Sequence, residues 1–84
     1  MYYVYVLKSE QQYRFYVGMT QDVDKRLAEH NSGKTKSTKG FRPWLLFFYE
    51  EFPDRTQARA REKYLKSGYG EQWIKEKWSH SSVG

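Results

Sequence analysis

The run Tyr2-Tyr3-Val4-Tyr5-Val6-Leu7-Lys8, the polar Ser9-Glu10-Gln11-Gln12, and Tyr13-Arg14-Phe15-Tyr16-Val17-Gly18 decide the fold. β-branched and aromatic residues fill both flanks, as a pleated, half-buried surface requires. Four polar residues between them fit the loop of an antiparallel hairpin. With Lys8 facing Tyr13, Tyr5 lies opposite Tyr16 and Tyr3 opposite Gly18. Opposed residues share a face. Val4, Val6, Phe15 and Val17 then point to the other face and cover a core, which leaves two tyrosines side by side away from the most apolar surface.

Downstream, Thr20-Gln21-Asp22-Val23 carries helix-start chemistry, with Thr20 as the expected N-cap and Asp22 in the first turn. Val23 and Leu27 mark a helical stripe, Arg26 and His30 adjoin it at i, i+4, and Gly33 suits a left-handed end. From Ser32 to Pro43 the chain is polar apart from Phe41 and reads as a long loop. The near-continuous apolar run from Trp44 to Phe52 reads as the central strand of the sheet. Asp54, with Gln57 three residues on, opens a helix that ends at Ser67-Gly68. On it Ala58, Glu62 and Leu65 fall on one stripe, so a carboxylate sits among apolar positions; Ala60 and Tyr64 offer a competing face. Gly68-Tyr69-Gly70 is expected to break the chain before a short helix from Glu71 to Trp78, leaving residues 79–84 as a disordered tail and 1–78 as one domain.

Composition bounds the rest. Eighty-four residues make one small domain, and the aromatic share of 19% supplies the buried area so short a chain needs. With no cysteine, neither a disulfide framework nor a thiolate metal site is available. No apolar run approaches a membrane span, and a soluble, cytoplasmic protein is expected. Between Lys25 and Arg42, six basic residues (Lys25, Arg26, Lys34, Lys36, Lys39 and Arg42) stand against Glu29 alone, which accounts for the whole net charge of +5. Such a cluster fits a polyanion, nucleic acid before membrane, or else a solvated loop.

Tyr3-Val4-Tyr5, then Tyr16-Val17-Gly18, then Arg26-Leu27 with His30, then Glu62, together resemble the GIY-YIG nuclease family, across nearly the whole chain. Within that family the chain is most similar to short stand-alone bacterial proteins related to the nuclease half of the excision-repair incision subunit. The resemblance implies an α+β fold with a three-stranded antiparallel sheet flanked by helices. It also implies a divalent-metal-dependent endonuclease that hydrolyses DNA phosphodiester bonds with water as nucleophile, in repair or recombination. By matching position, Tyr5 and Tyr16 are the motif tyrosines, Arg26 the catalytic arginine, His30 the helical histidine and Glu62 the ligand of one Mg²⁺ or Mn²⁺ ion. The chain departs from the family pattern at Tyr3, where a glycine is usual, at Met19, where some relatives carry lysine, and in having no late asparagine, Asn31 being its only one.

These roles have physical grounds. A cation and a guanidinium aimed at a phosphate offset the charge that repels the nucleophile. Mg²⁺ keeps several waters, so one carboxylate suffices if substrate completes the shell. Arginine binds phosphate bidentately and stays charged. A phenol acting as base must fall from a pKa of about 10 to about 8, which takes about 2.7 kcal/mol. That task is assigned here to Tyr5 with support from Tyr16, the reverse order remaining open, while His30 moves a proton or contacts phosphate. Lys25, Lys34, Lys36, Lys39 and Arg42 are the expected contacts to DNA, or to RNA. Low sequence specificity is expected, with a protein partner or a homodimer as its source. Each residue also has a plainer reading: cross-strand packing for the tyrosines, a solvated Arg26, a cap-proximal His30, a Glu62 paired with Arg59 or Arg61. On those readings the chain is a nucleic-acid-binding adaptor without catalysis, or a protein-interaction domain.

Overall fold

The computed structural model describes residues 1–81. Three strands form one antiparallel sheet: β1 (Tyr2–Ser9), β2 (Phe15–Thr20) and β3 (Trp44–Phe52), in the order β2-β1-β3. Helix α1 (Val23–Ser32) lies between β2 and β3 in the chain; α2 (Arg55–Lys66) and α3 (Gly68–Ser81) follow β3. The fold is the α+β sheet flanked by helices that the sequence implies. It has two cores, one on each face. Val4, Val6 and Val17 pack with Ala58 and Leu65 of α2 and Ile74 of α3. Tyr5, Leu7 and Trp44 pack on the other face with Val23 and Leu27 of α1.

The central strand is β1, not the Trp44–Phe52 run. Val4, Tyr5, Val6 and Leu7 are all essentially inaccessible, so β1 is buried on both faces, whereas β3 exposes Leu45 and Tyr49. A bulge explains the misleading apolar run. Val6 faces Phe48 but Leu7 faces Leu46, so Phe47 is an extra residue and the alternation of β3 reverses there. Phe47 and Phe48 both pack on the α2/α3 core, their rings 5.0 Å apart.

The hairpin register is also displaced. Lys8 faces Phe15, Leu7 faces Tyr16, Tyr5 faces Gly18 and Tyr3 faces Thr20. The loop begins one residue later than the polar run suggests: Ser9 N–H donates to the Arg14 carbonyl at 3.0 Å, and the Ser9 hydroxyl accepts from Gln11 and Gln12. A shift of two preserves faces, so Tyr5 and Tyr16 still share one, but as diagonal neighbours. Tyr3 therefore does not lie opposite Gly18; it packs edge-on against Tyr49 at 5.7 Å.

Helix ends follow local chemistry. The N-cap of α1 is Asp22, whose carboxylate accepts from Lys25 N–H at 3.1 Å, while Thr20 holds the preceding turn by accepting from Asp22 N–H. Gly33 takes the left-handed conformation at φ 86° that ends α1. Asp54 caps α2 as expected, bonding both the backbone and the side chain of Gln57. The long 32–43 connection is not structureless: it contains a 3₁₀ turn, Lys39–Phe41, and buries Thr38. Asn31 ties it to the sheet, its amide donating to the Trp44 carbonyl at 3.0 Å and accepting from Trp44 N–H at 2.6 Å.

Helix α3 is longer than predicted. Ser67, not the glycines, is the break, and its hydroxyl and carbonyl accept from Gly70 and Glu71 N–H. Residues 79–81, expected in the tail, are helical; 82–84 lie outside the described residues. Gly70 belongs inside the helix because α3 crosses the end of α2 there. A Cβ at Gly70 would overlap the Tyr64 carbonyl oxygen and lie 2.8 Å from the Leu65 carbonyl carbon. Gly70→Ala is therefore expected to cost about 1–3 kcal/mol through overpacking, while Gly68→Ala, with open space around it, loses nothing. Urea unfolding of the two variants beside the parent checks this.

Candidate active site

Tyr5 stands in the middle strand with Gly18 on one side and Tyr49 on the other. Its phenol lies across the backbone of Gly18; a Cβ there would sit 2.5 Å from the Tyr5 Cζ. The glycine of Tyr16-Val17-Gly18 is thus a clearance for the ring of Tyr3-Val4-Tyr5. Beyond Gly18 the Tyr5 hydroxyl meets His30 Nε2 at 3.0 Å, and both residues are buried. His30 is delivered by the last turn of α1. Its Nδ1 is 2.8 Å from the hydroxyl of Thr38, which the polar loop folds inward. Tyr16 completes the group, its ring 6.3 Å from Tyr5 and 4.7 Å from His30.

Two further nominated residues act on the same hydroxyl. Burial, followed by the neighbouring Tyr16, pushes the Tyr5 phenol up to about 12; a polar contact from the Arg26 guanidinium offsets part of this, and the Glu62 carboxylate adds to it. Tyr5, Tyr16, Arg26, His30 and Glu62 therefore share one electrostatic neighbourhood, with the Tyr5 oxygen at its centre. The direction is opposite to the one a base at Tyr5 needs. At 1% exposed, Tyr5 is also closed to an attacking water. Tyr16 is the half-buried phenol of the two, packed with Leu7 and Trp44 on the α1 face of the sheet. Arg26 is 37% exposed at its side chain and is held by Glu29 at 2.8 Å, and that guanidinium keeps the Glu29 carboxyl below its usual range.

Burial, assisted by Arg26, lowers the His30 pKa, so the imidazole is neutral at physiological pH. Its unfolded form takes up a proton first, at about 6.5, so stability is present above that value and is lost as pH falls. Tyr5 has the reverse sign: its unfolded phenol ionises first, near 10, and stability is lost as pH rises beyond that. Urea midpoints measured from pH 5 to 11 are expected to fall at both ends. His30→Gln should remove much of the acid-side loss and Tyr5→Phe much of the alkaline one.

Glu62 lies on the Ala58–Leu65 stripe of α2, its side chain only 12% exposed. Arg59 lies 3.8 Å from one of its oxygens and Lys66 3.1 Å from the other; Arg61 instead pairs with Glu50 at 2.7 Å. Among the described residues no group of three or more His, Asp or Glu is placed to cage a metal. Of the loop cations, Lys25, Lys34, Lys36 and Lys39 are exposed. Arg42 is engaged with the loop, its Nε donating to the Lys39 carbonyl at 2.9 Å and its fork packed over Gly33. Two residues of this region carry no signal in the sequence. Thr38 has Ser-Thr-Lys surroundings that read as solvated, and Arg14, between Tyr13 and Phe15, stacks over Phe41 at 4.2 Å. No helix among the described residues is long and apolar enough to cross a membrane.

The family model for the GIY-YIG catalytic domain matches residues 1–77. The chain is similar to UPF0213 protein SH2523 of Staphylococcus haemolyticus, 37% identical over 75 residues that cover 88% of this chain and 90% of that one. It is also similar to UPF0213 protein CPE1444 of Clostridium perfringens, 39% identical over 67 residues, 79% of this chain and 71% of the other. The solution structure of UPF0213 protein BH0048 from Bacillus halodurans superposes with a TM-score of 0.54 at 34% identity, covering 90% of this chain and 84% of that one. The tyrosine-over-glycine hairpin, the arginine and histidine of α1 and the acid of α2 thus sit in a chain that belongs to the GIY-YIG catalytic-domain family, a family of nucleases.

Proposed function

We propose that the chain is a divalent-metal-dependent endonuclease that hydrolyses DNA phosphodiester bonds with low sequence selectivity. The observation that carries this reading is the meeting of Tyr5, Tyr16 and His30 at one buried hydroxyl, whose ionisation Arg26 and Glu62 also influence. The donor set fits a hard cation of the Mg²⁺ or Mn²⁺ type. A single carboxylate in cationic surroundings cannot cage a metal, but it suffices for an ion that keeps its waters and shares a phosphate. Glu62 would hold the ion once Lys66 leaves it, and the ion would supply positive charge beside the scissile phosphate and its attacking water.

The remaining work falls to the chain itself. Arg26 presents a planar fork to the phosphate oxygens and is kept in orientation by Glu29. Tyr16, half-buried where Tyr5 is fully buried, is the phenol that meets the attacking water; this reverses the order favoured from the sequence, because Tyr5 is closed off and its hydroxyl is engaged. The neutral His30 shares a hydrogen bond with the Tyr5 hydroxyl at Nε2, and the pair forms a floor beside Tyr16. Lys25, Lys34, Lys36 and Lys39 supply backbone contacts, an attraction that is independent of sequence. A repair or recombination role belongs to the same proposal.

The Lys66–Glu62 pair favours one competitor, a nucleic-acid-binding adaptor in which the acid never takes a metal. One set of assays separates them. Nicked, branched and single-stranded DNA are incubated with Mg²⁺ or Mn²⁺ and either the parent or Glu62→Gln, with binding followed by fluorescence anisotropy. Cleavage by the parent alone, with equal binding, is expected. Equal cleavage by both would defeat the mechanism, and binding without cleavage by either would favour the adaptor. Replacing Lys34, Lys36 and Lys39 with serine should weaken binding on every sequence. The slope of log affinity against log salt should flatten by about 0.9 for each duplex phosphate that is no longer neutralised.

A further inference from the structure

A neutral imidazole has one donor nitrogen and one acceptor, and the tautomer is set by whatever the ring touches. His30 touches two hydroxyls, Tyr5 at Nε2 and Thr38 at Nδ1, either of which can donate or accept. The surroundings of Thr38 break this symmetry. Its Oγ1 lies 3.3 Å from the Thr35 carbonyl oxygen, a pure acceptor, so the single hydroxyl proton is directed there. Towards His30, Thr38 can then only accept. Nδ1 therefore carries the ring proton, Nε2 is bare, and the Tyr5 O–H donates to it.

Thr38 is not free to turn away. Its backbone N–H donates to the Thr35 carbonyl at 3.2 Å, and its own carbonyl accepts from Trp44 Nε1–H at 2.9 Å. Trp44 is in turn clamped by Asn31. The result is a one-way series of hydrogen bonds from Tyr5 through His30 and Thr38 to a backbone carbonyl. With its proton directed to Nε2, the Tyr5 oxygen keeps its lone pairs free on the side away from the ring.

We propose that Thr38 is a positioning residue: it selects the Nδ1–H tautomer of His30, and thereby fixes the Tyr5 hydroxyl as the donor to Nε2. Its catalytic consequence rests on the nuclease reading above, whereas the tautomer assignment does not. Without the Thr38 hydroxyl the ring proton is free to move to Nε2. Tyr5 would then have to accept from His30, and its own O–H would be turned away from the ring.

The test uses ring ¹⁵N chemical shifts of His30 at pH 7.5 in the parent, Thr38→Ser and Thr38→Val, with backbone amide spectra reporting the fold. The parent and Thr38→Ser are expected to show the Nδ1–H tautomer. Thr38→Val, close in shape but without the hydroxyl, is expected to move to Nε2–H or a mixture. In cleavage assays Thr38→Val should lower kcat by about tenfold to a hundredfold with KM unchanged, and Thr38→Ser should restore it. An Nε2–H tautomer in the parent overturns the proposal whether or not any variant folds, and so does an unaltered Nδ1–H tautomer in a folded Thr38→Val. A tautomer that moves as expected in a protein that cuts no DNA would support the role of Thr38 and defeat the nuclease reading instead.

Discussion

A phenol laid across a glycine organises this small protein. Tyr5 reaches His30 only because Gly18 has no side chain, and His30 is in place only because α1 ends where Gly33 allows. A buried tyrosine hydroxyl without a partner would cost about 1–3 kcal/mol, so the pairing constrains strand, helix and loop together. Tyr5 also belongs to the core beneath α1, with Leu7 and Trp44. One side chain thereby couples the packing of that face to the placement of every polar group in the site. The described residues leave no buried side-chain nitrogen or oxygen unpaired, as expected where so short a chain devotes its centre to polar contacts.

Burial changes what each tyrosine is suited to do. From residue type alone the two phenols are interchangeable. Once folded, Tyr5 is held neutral by desolvation while Tyr16 stays half-buried, so the same chemical group serves as anchor in one place and as a partly accessible surface in the other. The same division separates the cations of the loop. Arg42 is engaged in holding the loop's own backbone, while the lysines around Thr38 remain in water. The loop thus carries both the exposed charge and the buried hydroxyl that reaches the histidine.

Much of this was legible in the sequence where the signal is local. Period-two alternation placed Tyr5 and Tyr16 on one face, the Asp54 and Gly33 ends followed from capping chemistry, and the Ala58–Glu62–Leu65 stripe put the acid at the boundary of a core. What failed depended on partners far along the chain. The hairpin register turned on which residue closed the loop, and Ser9 settled it through hydrogen bonds that composition does not reveal. The bulge at Phe47 made an edge strand look buried on both faces. Thr38 could not be recognised, because a threonine between lysines reads as solvated until Trp44 and His30 are brought to it.

The central claim is that the acid of α2 and the groups around Tyr5 serve a single phosphate and cation. Line broadening by Mn²⁺ tests it most directly. The ¹⁵N-labelled protein is titrated with Mn²⁺ in the presence of a cleavage-resistant phosphorothioate oligonucleotide. Broadening centred on the amides around Glu62, Gly18, Tyr16 and Arg26, and abolished by Glu62→Gln, is the predicted result. Broadening centred instead on acids elsewhere in the chain such as Glu10 or Glu76, or unchanged by the substitution, would contradict it.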